Sequence, residues 1–294
     1  MAFEPLCLRQ LKRDGVESMS DKAVLVTGCS SGIGRCVARG LKTRGYRVFA
    51  SARKPEDVEE LKREGFESVR LDLADSDSIC SAVEEVLDAT GGGLYGLFNN
   101  GAYGQPGAVE DLLRGVLREQ FETNVFGTQE LTNLIIPVMH GQGEGRIIQN
   151  SSVLGFVAMP FRGAYNASKY ALEALSDTLR LELAGSNIYV SLIEPGPIQS
   201  RFRENAFRMY KKNIEPETSF HGDKYRAMEA RLLKEGPAAP FTLGPEAVLK
   251  RVIHALNAKR PKARYYVTFP TYLFGTLKRI LSTRALDALL MRVE

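Results

Sequence analysis

The chain predicts an α/β fold in a single domain: a doubly wound parallel sheet of about seven strands with helices on both faces. From Lys22 onward, short β-branched runs alternate with longer helical patterns. A glycine-rich turn joins the first of these strands to the first helix. The alternation continues past residue 190 without a linker, which favours one domain over two. Strands connected through helices lie parallel and are covered on both faces, and right-handed crossovers wind the sheet doubly.

The elements follow in order. "KAVLVTG" is a buried opening strand, and the segment after Gly32 is its helix. "YRVFASA" is the second strand, and Pro55 opens the next helix at a first-turn position that needs no N–H. "FESVRLDLA" is the third strand, closed by Asp72, and Ser76–Ala89 carries helical periodicity. "GLYGLFNN" and "GRIIQNSS" are the fourth and fifth strands, with one long helix holding Asn124 between them. "NIYVSLIEPG" is the sixth, after a helix that contains Tyr165, and "RYYVTF" near residue 266 is the seventh. Residues 1–20 are read as an N-terminal extension and 21–264 as the wound domain. Within it, 201–243 is polar and charged, and 265–294 forms an amphipathic tail.

Composition narrows the function classes. Of 294 residues, 44% are apolar and 25% charged, ordinary for a globular protein with a sizeable core. The net charge of +4 is too small an excess for a nucleic-acid footprint, although it suits an anionic ligand. No basic run is interleaved with aromatics as a nucleic-acid groove requires. Cys7, Cys29, Cys36 and Cys80 form no C-x-x-C pair, and His140, His221 and His254 are far apart, so no metal site is expected. That cysteine usage fits a reduced, cytoplasmic setting. The charged first twenty residues hold no apolar signal-peptide core, and no run approaches a membrane span.

Two local patterns carry chemistry. "TGCSSGIG", Thr27 to Gly34, sits between a buried strand and a helix. Glycines there permit a tight turn and let backbone amides approach a phosphate at the helix N-terminus, the arrangement of a Rossmann-type dinucleotide site. Such sites hold the adenine ribose with an acidic residue about 20 positions on. Here the second strand ends instead in Ser51, Ala52 and Arg53. A guanidinium grips a phosphate through charge-assisted bonds, which favours NADP(H) over NAD(H). The second pattern is "AYNASKYAL", which places Tyr165 and Lys169 four residues apart on one helix face. An ammonium beside a phenol favours the phenolate and lowers its pKa.

With these motifs in order, the chain resembles the short-chain dehydrogenase/reductase family over residues 21–200. The resemblance rests on T-G-x-x-x-G-I-G at 27–34, Asp72, Asn99-Asn100, Asn124, Ser152, Y-x-x-x-K at 165–169 and Pro195-Gly196. Ser152 precedes Tyr165 by thirteen residues, the family's interval. "TGCSSGIG", "SARKPEDVEEL" and "LFNNGAYG" are similar to the hydroxysteroid and retinol dehydrogenase-like branch, which includes bacterial NADP-dependent aldehyde reductases.

The resemblance implies hydride transfer between nicotinamide and a small-molecule carbonyl or alcohol, with Tyr165 as general acid and base. Ser152 would bond the substrate oxygen, Lys169 would lower the Tyr165 pKa and bind the nicotinamide ribose, and Asn124 would order a water linking Lys169 to solvent. Gly28, Ser30, Ser31, Gly32 and Ile33 would surround the pyrophosphate and adenosine. Asp72 and Leu73 would meet the adenine, and Asn99, Asn100, Gly101 and Ala102 the adenine ribose region. Pro195, Gly196, Ile198 and Ser200 would contact the nicotinamide side. Two positions depart from the family: Gly101-Ala102 replaces Ala-Gly, and Ser200 replaces threonine.

Phe202, Phe207, Met209 and Tyr210 offer either an aromatic wall for a lipophilic aldehyde, ketone, retinoid or steroid-like substrate, or packing between helices. Acyl-carrier-bound or sugar-like carbonyls are the competing substrates, and a non-catalytic NADP(H)-binding protein is the competing class. In the tail, Leu273, Leu277 and Ile280, then Leu286, Leu289 and Leu290, recur at helical spacing beside basic residues. These stripes suit packing on the domain or on another copy in a homo-oligomer, with a lipophilic surface near the substrate entrance, and peripheral contact to a membrane, as the alternative.

Overall fold

The structure is a computed structural model that describes residues 22–237 and 239–292. The expected N-terminal extension, with Cys7, lies outside the described residues. The strands are β1 (Ala23–Val26), β2 (Arg47–Ala52), β3 (Glu67–Arg70), β4 (Gly96–Asn99), β5 (Gly145–Asn150), β6 (Ile188–Glu194) and β7 (Arg264–Tyr266). They form one parallel sheet in the order β3-β2-β1-β4-β5-β6-β7. The winding reverses between β1 and β4, and open sheets of this kind take ligands outside the strand carboxyl ends at that point.

The helices are α1 (Gly32–Lys42), α2 (Pro55–Arg63), α3 (Ser76–Thr90), α4 (Arg114–Phe121), α5 (Gly127–Gln142) and α6 (Gly163–Glu182). Beyond β6 come α7 (Phe202–Asn213), α8 (Gly222–Leu233), α9 (Glu246–Asn257), α10 (Phe269–Ile280) and α11 (Thr283–Leu290). β1 shows why its run is apolar throughout. Val24 and Val26 enter a core with α1, α2 and α9, while Ala23 and Leu25 enter the opposite core with α3 and α5. Neither face meets water, so alternation vanishes from the sequence.

The structure corrects several expected boundaries. β3 ends at Arg70, two residues before Asp72. The Asp72 carboxylate instead accepts the Ala74 N–H at 3.1 Å, turning the chain toward α3. α3 begins after Asp75, whose side chain caps the Asp77 and Ser78 amides, and ends at Gly91 with φ +68°. The expected long helix between β4 and β5 is interrupted: α4 and α5 are joined by a π-turn over Glu122–Phe126 that contains Asn124. Gly127 follows it because the backbone presses on the β3–α3 turn; a Cβ there would come within 1.6 Å of the Leu73 carbonyl oxygen.

Residues 201–243 supply the helix pair α7 and α8. Tyr210 and Tyr225 are fully buried against Ala108, Leu112, Ala164 and Ile214. The Tyr225 hydroxyl donates to Asp111 at 2.5 Å and accepts the Ala108 N–H at 2.8 Å, satisfying a phenol that burial would otherwise penalise.

The tail packs on the domain. Phe274 of α10 and Leu290 of α11 are buried against Val153, Leu154 and Val157, with Leu277, Leu286 and Leu289 alongside. Leu273 and Ile280 do not share that inward face with Leu277: they are 39% and 69% exposed.

Candidate active site

The glycine-rich loop folds onto the end of β4. The Thr27 hydroxyl accepts the N–H groups of Asn100 and Gly101, each at 2.8 Å. Asn100 donates its side-chain amide to the Thr27 and Gly28 carbonyls, and Asn150 donates to Asn100 at 2.9 Å. Gly28 has φ +71°, and a Cβ on it would lie 2.9 Å from the Gly101 Cα. This contact accounts for a small residue at 101 as well as at 28. Ser31 caps α1 without a side-chain bond, so the first amides of the helix keep their donors for an anion. A cradle with no Cβ and open helix amides fits the pyrophosphate of a dinucleotide.

Gly32 faces Ser200 across the crevice, where a Cβ would come within 3.0 Å of the serine Cβ. Ser200 therefore stands against the glycine-rich loop. Ile33 packs against the α1 core, whereas the Ser30 carbonyl accepts a bond from Arg35 at 3.3 Å. Leu73 is buried against Gly101, Asn99 donates to Thr132 at 2.9 Å, and Ala102 lies between Gly101 and Tyr103. Asn99 thus braces the sheet.

Arg53 follows β2 and is exposed. Arg70, which motif reading passed over, stands beside it: β3 pairs Arg70 with Ala52, and the Arg70 guanidinium donates to the Arg53 carbonyl at 3.4 Å. Burial pushes the Tyr103 phenol up to about 12; the charge of Glu119 adds to this and that of Arg53 opposes it. The ends of β2 and β3 therefore carry two adjacent guanidiniums, with the Arg53 charge reaching the Tyr103 phenol.

At the other end, Ser152, Tyr165 and Lys169 converge. Ser152 ends the segment after β5, takes the Leu154 N–H at 3.1 Å and lies 3.5 Å from the Pro195 carbonyl. Lys169 is buried and donates to the Asn150 carbonyl at 2.7 Å, with its ammonium 5.7 Å from the Tyr165 ring centroid. Burial pulls Lys169 down to about 8, opposed by the charge of Glu173. Burial also pushes the Tyr165 phenol above its ordinary value, and its hydrogen bond with Ser152 acts in the opposite direction. The expected lowering of Tyr165 is thus overturned in this structure: desolvation outweighs the stabilisation of the phenolate.

Asn124 uses the π-turn to face inward. Its amide oxygen accepts the Tyr103 N–H at 3.1 Å, and its nitrogen donates to the Tyr103 carbonyl at 2.9 Å and to Ser168 at 3.1 Å. Ser168 in turn donates to the Tyr165 carbonyl at 2.8 Å. Asn124 therefore ties the loop after β4 to the helix carrying the phenol.

Pro195 and Gly196 follow β6, and a Cβ on Gly196 would meet the Thr268 hydroxyl at 2.2 Å. Ile198 bridges to Leu243, closing the 201–243 segment where it leaves and rejoins the domain. Phe202 stands edge-on to Tyr165, ring centroids 5.2 Å apart, and covers Gly104, where a Cβ would clash at 2.6 Å. Tyr165 also touches the apolar cluster formed with α10 and α11.

Behind Lys169, Arg264 joins three carboxylates: Asp177 at 2.7 Å, Glu173 at 3.0 Å and Glu194 at 3.2 Å. Burial raises the Glu173 and Glu194 carboxyls, the latter to about 9, while the bond to Arg264 lowers Asp177.

Fold and loop together define an α/β protein of the dinucleotide-binding class. Comparison with known proteins agrees: the family model for short chain dehydrogenases matches residues 22–211, and the chain belongs to that family. It is 46% identical over 270 residues to the uncharacterized oxidoreductase YbbO of Escherichia coli strain K12, covering 92% of this chain and 94% of the relative. It is 33% identical to 17-beta-hydroxysteroid dehydrogenase type 6 of Bos taurus, over 96% of this chain and 91% of the relative. These likenesses set it in the hydroxysteroid and retinol dehydrogenase-like branch. A short-chain dehydrogenase structure from Streptomyces avermitilis superposes with a TM-score of 0.73 at 28% identity, covering 90% of this chain and 95% of that one. The chain is thus an NAD(P)-dependent oxidoreductase.

Proposed function

We propose that this enzyme interconverts lipophilic aldehydes or ketones and their alcohols, using NADP(H), with Tyr165 as the general acid and base. The observation that carries the reading is the meeting of Ser152, Tyr165 and buried Lys169 beside an apolar wall of Phe202 and the tail cluster. When bound, the nicotinamide supplies or accepts the hydride. Ser152 steadies the charge that develops on the substrate oxygen, and Tyr165 gives that oxygen its proton during reduction. Lys169, in the same buried setting, binds the nicotinamide ribose and favours the phenolate left behind. Gly28, Ser30, Ser31, Gly32 and Ile33 hold the pyrophosphate end, with Asp72, Leu73, Asn99, Asn100, Gly101 and Ala102 around the adenosine. Pro195, Gly196, Ile198 and Ser200 line the nicotinamide side.

NADP(H) is preferred in this reading because Arg53 and Arg70 stand where an acidic residue would otherwise take the ribose hydroxyls. Apolar substrates are preferred because Phe202 and the tail leave the phenol among carbon surfaces. The test is a panel of straight-chain aldehydes and cyclic ketones with NADPH, followed at the nicotinamide absorbance. The expected result is a kcat/KM that rises with chain length. Equal turnover of sugar-like and long-chain carbonyls would reject the substrate class, and no turnover of any carbonyl would reject the activity.

A further inference from the structure

On the outer side of β7, between α9 and α10, lies a cavity of about 300 Å³. Its described lining is entirely cationic or phenolic. Arg251 comes from α9, Lys262 precedes β7, Arg264 and Tyr266 belong to β7, and Tyr272 and Arg279 belong to α10. Among the described residues no carboxylate lines it. Arg264 is engaged on its other side by Glu173, Asp177 and Glu194, of which Asp177 is held in its charged form. Among the described residues the remaining guanidiniums bond only neutral groups: Arg251 reaches the Tyr272 hydroxyl at 3.4 Å, and Arg279 reaches the Tyr266 hydroxyl at 3.4 Å and the Gly275 carbonyl at 2.6 Å.

We propose that this cavity is a binding site for an oxyanion of the phosphate class, carried by a small ester or by a lipid headgroup. A concavity walled by one sign of charge concentrates counter-ions. Two planar guanidinium forks and phenol hydroxyls present the donors that tetrahedral oxyanions accept. The site is remote from the end of the crevice that Arg53 marks. β2, which leads to Arg53, and β7 are five strand spacings apart, about 24 Å.

The test titrates inorganic phosphate into the full chain by calorimetry at fixed ionic strength, with and without saturating NADPH. A saturable site that persists in the presence of NADPH is expected. The Arg251→Gln/Arg279→Gln double variant should weaken it by about 10-fold or more, the worth of at least one charge-assisted hydrogen bond. Its carbonyl turnover and urea midpoint should match the parent, which separates lost binding from lost folding. Sedimentation with phosphatidylglycerol vesicles, against phosphatidylcholine controls, identifies the source. Capture by the anionic vesicles that the double variant loses assigns a lipid headgroup, whereas phosphate binding without capture assigns a soluble ester. No saturable phosphate site, or one that the double variant keeps, overturns the proposal.

Discussion

Tyr165 carries the sharpest test of the proposed chemistry. Removing its hydroxyl in Tyr165→Phe takes away a proton donor whose ring is held by Phe202 and the tail cluster, so the fold should persist. Turnover should fall by about 10²–10⁴, the usual worth of a positioned acid, while NADPH affinity holds. Steady-state kinetics with a cofactor titration decide it: near-parental turnover would remove Tyr165 from the mechanism. Arg53 tests cofactor choice in the same way. Arg53→Ala should weaken NADPH by about 10- to 100-fold and leave NADH unchanged, since a charge-assisted bond is made only to the extra phosphate. Arg70 stands beside Arg53 and keeps part of that attraction, so the double variant should lose more than either single one. Equal losses for both cofactors would mean that these side chains act on the fold and not on the phosphate.

Between elements, the cluster behind Lys169 binds α6, β6 and β7 through Arg264. Glu194 has its folded value raised from 4.5 to about 9 by burial and by the neighbouring charge of Glu173, against the pull of Arg264. Its protonated form is therefore the one the fold favours. That contribution is complete below the unfolded carboxylate value and is lost as the pH rises through about 9. Lys169 works in the opposite sense at higher pH: its folded value of about 8 lies below 10.5, so its penalty is relieved as the pH climbs between them. Urea midpoints at pH 5.5 and 8.5 should show the parent losing stability relative to Glu194→Gln as the pH rises. A difference that does not change with pH would refute the assignment. The tail is a second junction. Phe274→Ala should cost about 3–5 kcal/mol in urea unfolding, because the ring is buried against the loop after Ser152. A loss below about 1 kcal/mol would place α10 outside the cooperative unit.

For the molecule as a whole, what could be read from the chain was what lies in covalent order. The strand–helix alternation, the loop at 27–34, and the Ser152, Tyr165 and Lys169 spacing are local patterns, and the burial of central strands such as β1 on two faces leaves a direct apolar signature. What could not be read depends on lateral neighbours. Arg70 reaches Arg53 only through the register of β3 on β2, and Arg264 reaches Glu194 only because β7 pairs with β6. The π-turn at Asn124 has no periodic signature, since one widened turn leaves the surrounding helical pattern intact. The direction of the Tyr165 shift was missed because spacing shows who the neighbours are and not how much water remains.

The two margins of the sheet are unequal in chemistry but alike in brevity: β7 has three residues and β3 has four. A margin that short exposes few unpaired peptide groups, so it is a poor template for another chain to extend. Arg70 closes β3 and Arg264 opens β7, which places a cation at each rim. A second copy or an unfolded chain thus finds few backbone partners at either margin.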